Sequence, residues 1–126
     1  MTDTPQHTHS YGRAVQEELR EPAQALRRHI PDVYEGFKAL RDASFADGTL
    51  DEKTKQLIAL AVSVAQHCDG CMASHARGAA RAGASDQEAA EALGVTIQMM
   101  GGPGTVYAPR AFAAFREFAE YYRSRE

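Results

Sequence analysis

The chain has 126 residues, which is enough for one domain with a modest core. Its formal net charge is −3, and Lys and Arg are scattered among Asp and Glu, so we expect no nucleic-acid partner. No apolar stretch approaches the ~20 residues that span a bilayer, and we expect no membrane partner either. Because the N-terminus is polar, without an apolar signal region, and the chain has only two cysteines, we expect a cytoplasmic protein.

The first ten residues are polar and offer little to bury. We interpret residues 1–10 as a mobile arm, followed by a single helical domain over residues 11–126. The arm contains His7 and His9. We interpret both as solvated, because a flexible segment loses conformational entropy when it orders around a metal ion.

Two helices are predicted at the start of the domain. Spaced apolar residues indicate a helix from about residue 11 to residue 28, with a break or kink at Pro22, which has no backbone N–H. A second helix is predicted to begin at Ile30-Pro31 and to end at Asp47-Gly48. It carries an apolar stripe made of Val33, Phe37, Leu40 and Phe45.

The third predicted helix leads to the most informative part of the chain. Thr49 and Glu52 have the spacing of a capping box, although Asp51 is an equally suitable cap. After one amphipathic turn this helix is apolar on every side, from Leu57 to Ala65. Such a helix is expected in the middle of a domain, and it should end near Gln66.

The fourth helix is predicted to begin at Cys68 or Asp69 and to continue to Ala82. Gly83 then occupies the position after the helix that favours a left-handed residue. The alanine- and glycine-rich sequence of this helix is typical of helices that approach one another closely.

Two more helices complete the prediction. The capping box of Ser85 and Glu88 starts the fifth, which the glycine-rich residues 101–104 end. The sixth extends from about Val106 to Arg123, and its aromatic side chains are interpreted as core or subunit interface: Phe112, Phe115, Phe118 and Tyr122. No segment alternates as a strand does, so the predicted fold is all-α with about six helices.

Both cysteines of the chain lie at the start of the fourth helix, with His75 four residues after Cys71. A helix N-terminus favours negative charge, and residues four apart share one helical face. The imidazole can therefore take a proton from Cys71 or stabilise its thiolate. Cys68 is close enough to resolve an oxidised Cys71 as a disulfide. We predict a redox-active CxxC at the N-terminus of a central helix.

Other interpretations of the two cysteines stay open. They can be an inert buried pair, since free cysteine is a common core residue. They can also bind zinc with His75 and, as a fourth ligand, His67, although the second ligand pair usual in structural zinc sites is missing. Met72 follows Cys71 directly, which excludes the attachment motif of c-type haem. We expect neither a metal nor an organic cofactor.

The stretch LDEKTKQLIALAVSVAQHCDGCMASHARGAARAGASDQEAAEAL, residues 50–93, resembles the carboxymuconolactone decarboxylase family in its AhpD-like alkylhydroperoxidase branch. The resemblance covers roughly residues 33–120. It implies an all-helical fold, assembly as a trimer or hexamer, and peroxidase activity. It also implies that Cys71 becomes the sulfenic acid, that Cys68 is proton donor and resolving thiol, and that His75 belongs to a proton relay.

The chain departs from the AhpD-type relay at two positions. The relay glutamate, twelve residues before the first cysteine, is replaced by Gln56, whose amide can orient His75 but cannot accept its proton. Glu52, one turn earlier, is a candidate substitute acting through water, although a helix-capping role explains it equally. Gly70 stands where a histidine precedes the second cysteine. His67 can compensate for it, or it can simply close the preceding helix.

Three functions follow from these residues. The favoured one is a thiol peroxidase or disulfide reductase that acts on a peroxide or small disulfide and is recycled by an external dithiol. The second is a lyase like the namesake decarboxylase, which needs cations for substrate carboxylates. Arg77, Arg81 and Arg110 are candidates, although surface solvation also accounts for them. The third is a non-enzymatic redox sensor or assembly protein.

Overall fold

The computed structural model of the chain describes residues 9–126 and contains only helices and their connections in that range. The helices are α1 (Arg13–His29), α2 (Pro31–Phe45), α3 (Glu52–Ala65), α4 (Asp69–Arg81), α5 (Asp86–Met100) and α6 (Gly102–Arg123). The all-α prediction of about six helices is confirmed. The first eight residues of the predicted mobile arm lie outside the described residues. None of the described helices combines the length and hydrophobicity needed to cross a membrane.

The core lies where α3, α4, α5 and α6 meet, and α4 also packs against α1. Its large members include Leu60, Val64 and Phe115, all fully buried. Phe118 is buried beside them, so two of the four α6 aromatics interpreted as core or subunit interface belong to the core, and Phe112 and Tyr122 are partly buried against it. Small side chains bring the helices together elsewhere in the core: Ala76, Ala79, Ala89, Ala108, Ala111 and Ala114. The CxxC at the start of α4 therefore belongs to a central helix.

The turn from α4 to α5 follows the sequence signals. Gly83 has a φ of 88°, the left-handed conformation expected after the helix. The capping box is also present: Ser85 Oγ accepts the Glu88 N–H at 3.0 Å, and a Glu88 carboxylate oxygen accepts the Ser85 N–H at 2.9 Å. Both predictions are confirmed. They could be made from the sequence because each of these structures depends on a few adjacent residues.

Of the break or kink predicted at Pro22, the break is wrong, because α1 continues through this residue from Arg13 to His29. Proline removes one backbone donor, which leaves the carbonyl of Glu18 without its helical partner. Glu18 and Pro22 are both exposed, so water can hydrogen-bond that carbonyl. On this solvent-facing helix, which buries no residue, the missing bond does not end the element.

The predicted start of α6 at Val106 is four residues late, since the helix begins at Gly102. Pro103 lies in the first turn, where its missing N–H has no helical partner in any case. Gly104 is buried, and a Cβ there would lie 2.9 Å from the Ile97 Cα. The glycines and proline that end α5 thus also form the first turn of α6 and allow it to approach α5 closely.

The start of α3 shows which of its two candidate caps is used. Asp51 is the N-cap, and its carboxylate accepts the Thr54 N–H at 2.8 Å. Thr49 therefore does not form the alternative capping box with Glu52. The helix ends at Ala65 with Gln66 as its C-cap, as predicted.

Apolar side chains on α2 face solvent, although the sequence pattern there is that of a buried stripe. The helix packs mainly against α1 and α3, and none of its residues is buried. The most exposed members of the stripe are Val33 at 63%, Phe37 at 63% and Leu40 at 64%. One side of α3 is also half-exposed, at Ile58 and Val62. The expectation that α3 is enclosed on every side is therefore wrong.

Candidate functional site

The two cysteines form a disulfide at the N-terminus of α4, with their Cα atoms 5.2 Å apart. Cys68 is the N-cap residue, and its Sγ accepts the backbone N–H of Cys71 at 3.2 Å. Both residues are half-buried. An N-cap sulfur beside this N–H and the positive end of the helix is well placed to carry negative charge once the disulfide is reduced.

His67 shapes the entry of the chain into this disulfide. Its φ is 54°, and it is the one positive-φ residue other than glycine among residues 9–126. Its N–H donates to Val64 O, and the Cys68 N–H donates to Ser63 O, which closes α3 as a Schellman motif. The imidazole stacks on Tyr107, with ring centroids 4.0 Å apart and planes 5° from parallel. His67 therefore closes the preceding helix, one of the two roles considered for it.

His75 lies on α4 one turn after Cys71, and its Nδ1 is 3.0 Å from Gln56 Oε1. With the amide oxygen as acceptor, Nδ1 carries the proton and Nε2 keeps its lone pair. Gln56 is only 8% exposed, so its amide has little access to water as an alternative hydrogen-bond partner. Gln56 thus contacts His75, and its amide oxygen favours the tautomer with the proton on Nδ1.

The surroundings of His75 keep the imidazole neutral. Burial lowers its pKa below the ordinary value of 6.5, and the nearby Arg41 guanidinium lowers the pKa further. Phe45 stacks on the ring, with centroids 5.4 Å apart and an interplanar angle of 26°. Both Arg41 and Phe45 come from the end of α2, which therefore covers the imidazole. A neutral imidazole at pH 7 can act as a base towards a thiol.

Gly78 makes room for the amide of Gln56. A Cβ on Gly78 would collide with that amide, because the three nearest atoms would be its Cδ, Oε1 and Nε2. Gly78 is a buried residue of α4, on the side of that helix that packs against Gln56 of α3. Sequence reasoning did not assign Gly78 to the site, although the alanine- and glycine-rich sequence of α4 indicated close helix contact. Arg41 and Phe45 were not assigned either, since nothing local indicates which helix face they approach.

Glu52 lines an open pocket of about 510 Å³ together with Gln56 and His75. Its backbone N–H donates to the Asp47 carboxylate at 2.7 Å. Glu52 therefore lines the same pocket as Gln56 and His75, and it does not form the capping box considered for it. Ser74 also lines this pocket.

The three arginines considered for substrate carboxylates lie in two places. Arg77 and Arg81 line the pocket beside His75. Arg110 lies outside it and stacks over Tyr107, with its guanidinium carbon 4.9 Å from the ring centroid. Of the three arginines, only Arg77 and Arg81 therefore share a pocket with His75.

The four side chains considered for zinc do not converge on one point. The two cysteine sulfurs are bonded to each other, while His67 contacts Tyr107 and His75 contacts Gln56. Within residues 9–126, no three His, Cys, Asp or Glu side chains are grouped so that they could hold a metal ion.

Comparison with known proteins identifies the family of the chain. The carboxymuconolactone decarboxylase family matches residues 31–119, close to the range of the resemblance in the sequence. The chain belongs to the carboxymuconolactone decarboxylase family. Its match begins at the first residue of α2, so α1 precedes the family domain in this carboxymuconolactone decarboxylase family member.

Relatives of this carboxymuconolactone decarboxylase family chain occur in several bacteria. "Uncharacterized protein 4 in cox locus" of Paracoccus denitrificans is 41% identical over 85 residues, which are 68% of this chain and 77% of that protein. A carboxymuconolactone decarboxylase family protein from Legionella pneumophila, in an apo crystal structure, is 37% identical with a TM-score of 0.81, over 84% of this chain and 95% of that one. A Thermotoga maritima crystal structure is 32% identical with a TM-score of 0.66, over 74% and 84% of the two chains.

Proposed function

We propose that this chain is a thiol peroxidase or disulfide reductase whose two cysteines alternate between the dithiol and the disulfide. The observation that carries the proposal is the disulfide at the N-cap of α4, where Cys68 Sγ accepts the Cys71 N–H. A neutral base, His75, lies one helical turn from Cys71. A nucleophile, a resolving thiol and a base are the groups that two-electron thiol chemistry needs.

The oxidising half-reaction begins at Cys71. His75 accepts the thiol proton, and the thiolate attacks a peroxide oxygen, so that an S–O bond forms and the O–O bond breaks. The leaving oxygen takes up that proton and departs as an alcohol or water, which leaves Cys71 as the sulfenic acid. Cys68 then attacks the Cys71 sulfur, an S–S bond forms, and water leaves. With a small disulfide as oxidant, the same two attacks release two thiols.

The reducing half-reaction also takes place at Cys71. One thiolate of an external dithiol attacks the Cys71 sulfur, and Cys68 departs as a thiolate that accepts the Cys71 N–H. A better stabilised thiolate leaves faster, so this geometry favours attack at Cys71 over attack at Cys68. The second thiol of the reductant then resolves the mixed disulfide. Electrons therefore enter and leave through the same sulfur.

Gln56 in place of a carboxylate is expected to slow the peroxidase. Its amide orients His75 at 3.0 Å but cannot stabilise the imidazolium by taking its proton. A positioned acid–base group typically contributes ~10²–10⁴ in rate, which bounds the loss. We expect Gln56→Glu to accelerate peroxide consumption. The carboxylate of Glu52, in the same pocket, is the proposed route for the proton through water.

We also propose that the protein works in the cytoplasm as a homo-oligomer, a trimer or a hexamer. A cytoplasmic dithiol system would supply the electrons that reopen the disulfide. The exposed apolar residues of α2, at Val33, Phe37 and Leu40, support association, because monomeric proteins rarely leave adjacent large apolar side chains uncovered.

The proposal is tested by mass spectrometry of the reduced protein after one equivalent of peroxide. We expect rapid formation of the Cys68–Cys71 bridge in the wild type. Cys68→Ser should accumulate sulfenic acid on Cys71, detectable with a dimedone label, and Cys71→Ser should consume no peroxide. Turnover that persists in Cys71→Ser would refute the assigned roles.

A redox sensor is the second candidate, and the replacement of the relay glutamate by Gln56 favours it. In that case oxidation would be slow, and it would change the oligomer instead of serving turnover. Light scattering of the reduced and oxidised protein separates the two functions. A large change in mass combined with negligible peroxide turnover would favour the sensor.

A further inference from the structure

The pocket beside His75 concentrates positive charge. Arginines from two helices line it: Arg41 on α2, and Arg77 and Arg81 on α4. Arginine pairs with carboxylates through a planar fork of N–H donors. The pocket is open and measures about 510 Å³, so a small organic anion can enter it.

The acidic side chains of the lining do not cancel this charge. There are two of them, Asp42 and Glu52, and Asp42 is already paired with Lys38 at 3.0 Å. Glu52 is then the one acidic residue of the lining left to offset the charge of three arginines. Arg77 donates through Nε to the Tyr122 hydroxyl at 3.2 Å, which leaves its two terminal nitrogens available. The lining therefore carries a net positive charge at neutral pH.

The pocket lies along α4 beyond the proposed redox centre, and the first residue of α4 in its lining is Ser74, three residues after Cys71. His75 and Gly78, which both line it, are four and seven residues beyond Cys71. At about 1.5 Å of rise per residue, the Cα atoms of His75 and Gly78 are about 6 Å and about 10 Å along the helix axis from the Cα of Cys71. A single aromatic ring or a short alkyl chain spans that distance. Arg81 is about 15 Å away on the same scale, and because helical side chains point back towards the N-terminus, its guanidinium can meet an anion beside Gly78. The field of Arg41 reaches the relay histidine, since it lowers the pKa of His75.

We infer that this pocket binds the carboxylate of the oxidising substrate, so that the substrate class is an organic hydroperoxide or disulfide bearing a carboxylate. Arg41 and Arg81 pair with the anion, while the Phe45 ring provides an apolar surface beside it. This inference rests on the proposed redox function, because Cys71 is where the bound molecule reacts. It adds recognition of charge, which the thiol chemistry does not require.

Two aromatic disulfides form a matched pair of probes. 5,5′-Dithiobis(2-nitrobenzoate) carries a carboxylate on each ring, whereas 4,4′-dithiodipyridine carries none. With either probe, the Cys71 thiolate attacks one sulfur and releases the first aryl thiolate. Cys68 then attacks the Cys71 sulfur, forms the intramolecular disulfide and releases the second. Both reactions are followed by absorbance in a stopped-flow instrument, starting from the fully reduced protein.

We expect Arg41→Gln and Arg81→Gln each to lower the rate constant with the anionic disulfide about fivefold at low ionic strength. The rate constant with the neutral disulfide measures any effect of Arg41 on thiol activation through His75, so the loss of anion recognition is read from the ratio of the two rate constants. Added salt at about 0.5 M should abolish the difference for the anionic probe. Arg41→Lys should retain most of the selectivity because it keeps the charge.

Arg28→Gln is the matched control, since Arg28 is exposed at the end of α1, outside the pocket, and its loss changes the net charge equally. It should leave the ratio of the two rate constants unchanged. An equal loss with both probes in the arginine variants would overturn the inference, and so would an unchanged ratio in the variant that combines Arg41→Gln with Arg81→Gln. Retained selectivity without peroxide turnover would instead refute the peroxidase and keep the anion site. The neutral probe and circular dichroism report whether each variant is folded.

Discussion

Replacing Gly78 by alanine tests the contact that positions the relay. The new Cβ would be placed against the buried amide of Gln56, which is hydrogen-bonded to His75 at 3.0 Å. If the Gln56 side chain were exposed to solvent, it would move away from the new Cβ at little cost in free energy. Gln56 is only 8% exposed, so its amide can leave only by breaking that hydrogen bond or by pushing α3 and α4 apart.

The size of the effect follows from three contributions. Alanine gains about 1 kcal/mol over glycine in a helix interior. Overpacking a close contact costs about 1–3 kcal/mol, and a buried polar group without a partner costs about 1–3 kcal/mol. The costs exceed the gain, and we expect Gly78→Ala to lower the free energy of unfolding by about 3 kcal/mol, with a loss of peroxide turnover because the His75 ring is no longer held.

Urea unfolding at fixed protein concentration measures this change, and the chain provides a matched control. Gly94 lies in the interior of α5 and is exposed, and a Cβ there would meet no atom within 4 Å. Gly94→Ala should therefore stabilise the protein by about 0.5–1 kcal/mol. In a Gln56→Ala background, Gly78→Ala should lose most of its cost, which gives a coupling energy of about 3 kcal/mol between the two positions.

The reasoning would be refuted if Gly78→Ala stabilised the protein as much as Gly94→Ala does. It would also fail if the cost were the same with and without the Gln56 amide. In either case, the space beside Gly78 would not be what holds the glutamine against His75.

Four further predictions concern other parts of the chain. The pKa of His75 is lowered in the folded protein, so the contribution of the neutral imidazole to stability is fully present above about pH 6.5 and is lost as the pH falls through the folded pKa. As the pH is lowered, the urea midpoint of the wild type should therefore fall more than that of His75→Asn. Parallel curves would contradict this. Gly83→Ala should destabilise by about 1–2 kcal/mol in urea unfolding, because the φ of 88° is strained for alanine although space is open. Ser85→Ala should cost about 1 kcal/mol in the same assay through loss of the capping box, and a cost below the experimental error would argue against it. Phe37→Ser should reduce the mass measured by light scattering, whereas an unchanged mass would exclude the α2 face from the proposed assembly.

The helix ends around the candidate site were predictable because their signals are local. The left-handed Gly83, the capping box of Ser85 and the N-terminal position of Cys68 each depend on residues within one turn. The contact between Gln56 and His75 was also accessible, since the family spacing places them opposite each other.

The remaining parts of the site depend on how α2 returns to the bundle. Its last turn delivers Arg41 and Phe45 to His75, but no local pattern specifies that path. The break predicted at Pro22 was wrong for a related reason, since the cost of a proline depends on whether water reaches the carbonyl that it leaves free. The path of α2 and the continuity of α1 at Pro22 depend on tertiary packing and on solvent access, and the spacing of residues in the sequence determines neither.

Cys68 belongs to the end of one helix and the beginning of the next. Its N–H completes the closure of α3 on Ser63, while its Sγ accepts the N–H of Cys71 at the opening of α4. A thiolate accepts a hydrogen bond more strongly than a disulfide sulfur does, because ionised acceptors form the stronger bonds. Two-electron reduction of the disulfide therefore strengthens the hydrogen bond from the Cys71 N–H, and oxidation weakens it. The strength of this main-chain hydrogen bond thus follows the oxidation state of the two cysteines.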